Sequence, residues 1–230
     1  MIISVNFQMT ELKNGAKPIS MGVATKPTND SPIHIFYAEF SDVDYSKVSE
    51  EQMNWLNDNV RPKLLWDDSY DKSDKMMDTI AEKLSSNNVK TTFKYGNNQS
   101  IGLYFKNWLR YIKRNYNMMD DDVEFLADIT AYDKVLITEV LGADGVDLWL
   151  DPLIKLSPYD ICMNSLLASR LVIPPKDAFE INRFNLLNDE SSNIYKELSG
   201  GERIELHAFY NCLETLLLYN QLPEVKTIYK

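Results

Sequence analysis

Apolar and polar positions along the chain change period more than once, and each change predicts a change of element. Ile2–Met9, Pro18–Thr25 and Ile33–Phe40 are rich in Ile, Val, Phe and Tyr, and turn signals separate them: Asn14-Gly15, then the run from Pro27 to Pro32. Such runs between turns predict three sequential antiparallel strands. From residue 46 the period turns helical, with Ser49 as N-cap, Glu51 and Gln52 in the first turn, and Trp55, Leu56 and Val60 on one face before Pro62. The acidic stretch 67–78 leads into a second helix through Met76, Ile80 and Leu84, which Ser85-Ser86-Asn87-Asn88 breaks. Over residues 100–114, Ile101, Tyr104, Phe105, Trp108, Leu109 and Ile112 recur at helical intervals and predict an amphipathic helix. Residues 123–130 then read as a strand and 132–141 as a helix, an alternation that calls for a parallel crossover. Two more helices are predicted, one over 159–171 entered at Ser157-Pro158, and one over 202–222 stopped by Pro223. The sum is an α/β fold: a mixed central sheet with three N-terminal antiparallel strands and flanking helices.

Composition narrows this further. The 230 residues include 34 acidic and 24 basic side chains, a net charge of −10, with 44% hydrophobic residues. A chain this long and this apolar buries a core without disulfides and is not intrinsically disordered, so a single domain over 1–230 is expected. The acidic balance excludes a broad basic face for duplex DNA, since Lys and Arg supply most non-specific affinity for phosphate, and leaves only a local groove. Cys162 and Cys212 lie fifty residues apart without CxxC spacing, which fits a reduced, cytoplasmic protein. The N-terminus lacks a basic region, and no window approaches a membrane span.

Several blocks carry more specific information. They are Pro18-Ile19-Ser20-Met21-Gly22-Val23; Trp55-Leu56-Asn57-Asp58-Asn59-Val60-Arg61-Pro62; the segment from Glu124 to Leu136 containing Ala131-Tyr132-Asp133; Pro158-Tyr159-Asp160-Ile161-Cys162; and Ala208-Phe209-Tyr210-Asn211-Cys212. In this order they resemble the DEDDh 3′–5′ exonucleases of ribonuclease-H-like fold, nearest the ribonuclease-T-like exoribonucleases of bacteria and bacteriophages. The resemblance spans nearly the whole chain, weakly over 67–99 and 172–200. It implies a ribonuclease-H-like exonuclease fold. It also implies a centre in which four carboxylates hold two Mg²⁺ ions and a histidine acts as general base.

Carried over residue by residue, most of that centre is missing. The two acids of the first strand fall on Asn6 and Gln8, the third on Asp133, and the last on Asn211 with the base at Leu206. Moving the register by one puts His207 at the base position but Cys212 at the acid position. On a helix, neighbours point about 100° apart, so His207 is not expected to replace a base at 206. A site of roughly −4 that faces two divalent ions becomes roughly −1, and amide oxygens coordinate Mg²⁺ without neutralising it. Losing one member of such a unit already costs on the order of 10³-fold in rate.

Other readings compete at each position. Asn and Gln in strands are ordinary hydrogen-bonding residues, although Asn6 and Gln8 share one face. Asp133 reads equally as a charge favoured near a helix N-terminus or as a relic metal ligand. His34 and His207 read as structural or exposed polar residues. Lys106, Arg110, Lys113 and Arg114, set among aromatics, read as a solvated basic face or as a strip contacting single-stranded nucleic acid. Leu198-Ser199-Gly200-Gly201-Glu202 imitates an ATPase signature, but no phosphate-binding G-x-x-x-x-G-K-[ST] accompanies it. The resemblance with its acids removed implies a catalytically inactive protein that acts by binding. A protein partner comes first, one with basic character to suit the acidic surface, such as host defence or RNA machinery met in the host cytoplasm if the source is a phage. Two alternatives stand beside it: an active Mg²⁺-dependent exoribonuclease, seen as an inactivated variant or aligned in another register, and a non-cleaving binder of RNA or DNA 3′ ends. No cofactor is expected, or Mg²⁺ if the protein is active, and the oligomeric state stays open.

Overall fold

A computed structural model describes residues 1–10, 15–66, 74–128, 130–142 and 154–222. Strands β1 (Ile2–Met9), β2 (Pro18–Thr25) and β3 (Ile33–Phe40) form where the pattern predicts and pair antiparallel in sequence order. Helix α1 (Glu50–Asn59) follows, its first-turn amide at Gln52 capped by the Ser49 hydroxyl, with Leu56 buried. Trp55, expected on the buried face, lies exposed at the surface instead. Helix α2 (Asp74–Lys83) leads to β4 (Val89–Gly96), which was not predicted although Val89, Thr91, Phe93 and Tyr95 alternate there. Helix α3 (Asn98–Asn115), strand β5 (Val123–Ala127) and helix α4 (Thr130–Gly142) match the expected alternation, with β5 shorter by three residues.

Two expectations are overturned beyond this point. Residues 156–162 form strand β6 (Leu156–Cys162), and only α5 (Met163–Leu171) is helical in the segment read as one helix. β6 lies beside β5, so hydrogen bonding to the sheet overrides the helical spacing there. After α6 (Pro175–Ala178) and α7 (Asp189–Ser199), the last helix α8 (Ala208–Gln221) starts six residues later than predicted. Gly200 and Gly201 both adopt positive φ, and so does Leu206, which keeps 202–207 out of the helix.

The sheet order is β4-β3-β2-β1-β5-β6, with β3–β4, β1–β5 and β5–β6 parallel. Its two faces are covered differently. Phe7, Met21 and Phe36 face α3 and α4, which are pressed together where Gly102 meets the Val140 carbonyl; a Cβ there would stand 2.2 Å from that oxygen. Ile35, Tyr37 and Phe93 face α8 and its neighbours α2 and α7. α8 approaches so closely that a Cβ on Gly22 would lie 2.1 Å from the Ala208 carbonyl oxygen, so its first turn rests directly on β2. Among the described residues no helix is long and apolar enough to cross a membrane.

Candidate functional site

The site positions gather where β1 outruns its parallel neighbour. The β1–β5 register ends at Ser4 opposite Leu126, so Asn6, Phe7 and Gln8 lie beyond it. Asn6 sits opposite Gly22, the residue on which α8 rests, and this brings Asn211 of α8 within reach: its Nδ2 donates to Asn6 Oδ1 at 3.3 Å. Two residues 205 apart in sequence therefore meet as a neutral amide pair. Gln8 is buried on the same strand face. Asp133, in the first turn of α4, reaches the Phe7 backbone amide from the other side of β1. Burial, followed by the charge of Asp128, pushes its carboxyl up to about 7.

The base position is not restored. Leu206 and His207 both precede α8, so the rotation of a helix does not separate them as expected; Leu206 is held at positive φ and His207 is the N-cap. His207 points into the core, with its ring stacked on Tyr37 at 5.1 Å. Its Nδ1 accepts from the Phe209 amide at 3.3 Å, and the opposite side bonds to the Lys63 backbone. With Nδ1 accepting, the proton sits on Nε2 and is donated to a carbonyl. Burial pushes the ring down to about 4, so it is a neutral structural residue with both nitrogens engaged. His34, half of a pair with Tyr116 at 2.8 Å, is also structural.

The basic strip is not a single surface. Lys106 is 2% exposed and Lys113 0%, and Lys113 Nζ donates to the Asp121 and Ile154 carbonyls at 2.8 and 3.3 Å. Burial also lowers the Lys113 pKa. Arg110 and Arg114 stay on the outer side of α3, where Arg110 donates to Asn107 Oδ1 at 3.3 Å.

Beside the amide pair lies a second polar cluster that sequence reading missed. Asp128, just past β5, is ion-paired with Arg183 and accepts from Thr215 Oγ1 at 3.1 Å. Arg183 also donates to Asn164 Oδ1 at 2.7 Å, while Asn164 Nδ2 returns a bond to the Asp128 carbonyl at 2.8 Å. Arg203 pairs with buried Glu214 at 3.2 Å and with Glu205 at 2.6 Å. Asp128, Arg183, Arg203, Glu205, Leu206 and Asn211 border a cavity of about 410 Å³. These residues come from four separate segments, the end of β5, residue 183, residues 203–206 and α8, and no shared local pattern marks them.

As donors for the two magnesium ions that the resemblance implies, the first cluster does not fit. The Asn6 oxygen already accepts from Asn211, Gln8 and Asn211 bring no charge, and Asp133 favours its protonated form up to about pH 7. No protein-family model matches the chain, and no curated protein matches it in sequence.

Proposed function

We propose that this chain is a ribonuclease-H-like domain of the exonuclease type that has given up hydrolysis and works by binding a protein. The frame supports the reading. Three antiparallel strands are followed by parallel ones, and the six positions aligned with the catalytic centre gather at the end of β1 or at the entry to α8. The observation that carries it is the Asn6–Asn211 amide pair, in which Asn211 Nδ2 donates to Asn6 Oδ1 at 3.3 Å; two carboxylates opposed in that way would need cations between them. A neutral, fully engaged His207 offers no proton acceptor nearby. A protein partner is preferred because a cleft without metal ions, on a chain of net charge −10, has little to offset phosphate repulsion.

The test is incubation of end-labelled single-stranded RNA with Mg²⁺ or Mn²⁺, using the native chain beside Asn6→Asp/Gln8→Glu/Asn211→Asp. The native chain is expected to leave the RNA intact. Processive shortening by it would overturn the reading, and shortening by the triple variant alone would support the alignment.

A further inference from the structure

Between Lys83 and Asp120 the chain has no acidic residue but six basic ones: Lys90, Lys94, Lys106, Arg110, Lys113 and Arg114. In a chain of net charge −10, that segregation is the largest local departure from its overall character. It forms β4 and α3. With Lys106 and Lys113 buried, the outer side of the helix presents Leu103, Tyr104 and Tyr111, exposed by 48%, 41% and 57%, next to Arg110 and Arg114. At about 100° per residue these side chains share one continuous sector of the helix. Lys94 of the edge strand joins the same surface, its Nζ 5.0 Å from the Tyr104 ring. Lys90 and Lys94 both face the α3 side of the sheet, paired opposite His34 and Ala38. Among the described residues no carboxylate lies within ion-pair distance of Lys90, Lys94 or Arg114.

We propose that the outward face of α3, together with Lys90 and Lys94 of β4, is a docking surface for an acidic segment of a protein partner. This deepens the binding-protein reading and rests on it. It also reverses, at this face, the basic partner that net charge alone suggests. Charge complementarity selects an anionic partner, and Arg with exposed Tyr on a rigid helix is the composition of protein-interface anchors. Single-stranded nucleic acid is disfavoured because its sites run along grooves, whereas this face is a convex helix.

The test is fluorescence anisotropy on the full chain with two probes, a fluorescein-labelled peptide of alternating Glu and Phe and a labelled oligouridine. The peptide is expected to bind, to weaken about tenfold with Lys94→Glu/Arg114→Glu, and to weaken severalfold with Tyr111→Ala. The charge-matched control Lys26→Glu/Lys176→Glu is expected to stay within roughly twofold. Circular dichroism checks that each variant is folded; all the changed side chains are at the surface. Equal loss in the control, no peptide binding, or tighter oligouridine binding lost with the same residues would each overturn the proposal. None of these outcomes alters the RNA-shortening result on which the broader reading depends.

Discussion

Two polar clusters lie side by side at the ends of β1 and β5, and they handle buried charge in opposite ways. Around Asn6 and Asn211 the side chains are neutral amides joined by one hydrogen bond, and Asp133 beside them is pushed toward its protonated form by burial. Around Asp128 the charges are kept, each answered by a guanidinium, a hydroxyl or an amide. A carboxylate persists in the fold where the chain itself supplies its counter-charge. At Asn6, Gln8 and Asn211 the polar side chains are amides, which need no counter-charge.

The sharpest way to break this contrast is through Asp133. Its folded value is raised, so the stability it contributes is fully present below the ordinary carboxyl value and is lost as pH rises through about 7. Asp133→Asn removes that dependence. Relative to the native chain, the variant should gain up to about 4 kcal/mol between roughly pH 4 and pH 8, read by urea unfolding at each pH. His207 slopes the other way: its folded value near 4 means that its stability is present above its ordinary value of 6.5 and lost as pH falls. That term cancels in the comparison of variant with native chain. Parallel profiles would mean that Asp133 is charged in the fold and the first cluster is not neutral.

The charged cluster gives the next largest effect. Arg183→Ala leaves Asp128 without its guanidinium and should cost about 3 kcal/mol, whereas Asp128→Asn/Arg183→Ala should recover most of that loss. Equal costs in the single and double variants would show that the pair acts through packing rather than charge. The smallest effect sharpens the neutral side. Asn6→Asp/Asn211→Asp replaces a hydrogen-bonded pair with like charges and should cost about 1–2 kcal/mol at neutral pH, a loss that Mn²⁺ reduces in thermal melts. A metal-free variant as stable as the native chain would mean that this pocket tolerates carboxylates after all.

Much of the fold was legible. The first three strands are Ile-, Val-, Phe- and Tyr-rich runs between turn signals, Ser49 caps its helix as its position suggests, and the helical spacing of α3 matches its buried face at Ile101, Phe105, Trp108, Leu109 and Ile112, whereas Tyr104 is exposed. The misses have physical causes. β4 was overlooked because its polar Lys and Thr positions dilute the apolar signal at an edge strand. Residues 156–162 are a strand because β5 offers them hydrogen bonds, something local spacing does not encode. Of the site, the meeting of Asn6 with Asn211 was suggested by motif order, while Arg183 and Asp128 carried no shared local pattern at all.

By itself the sequence determined what depends on neighbours in the chain: apolar strand runs, helical spacing, the cap at Ser49, and the neutral amides at Asn6, Gln8 and Asn211. Only the tertiary structure decided which charges are buried. It turned His207 into the core, sank Lys106 and Lys113 while leaving Arg114 outside, and joined Asp128 to Arg183. Burial and pairing are set by segments far apart in sequence, and in a low-dielectric interior they govern the state of a titratable group more strongly than its immediate neighbours do.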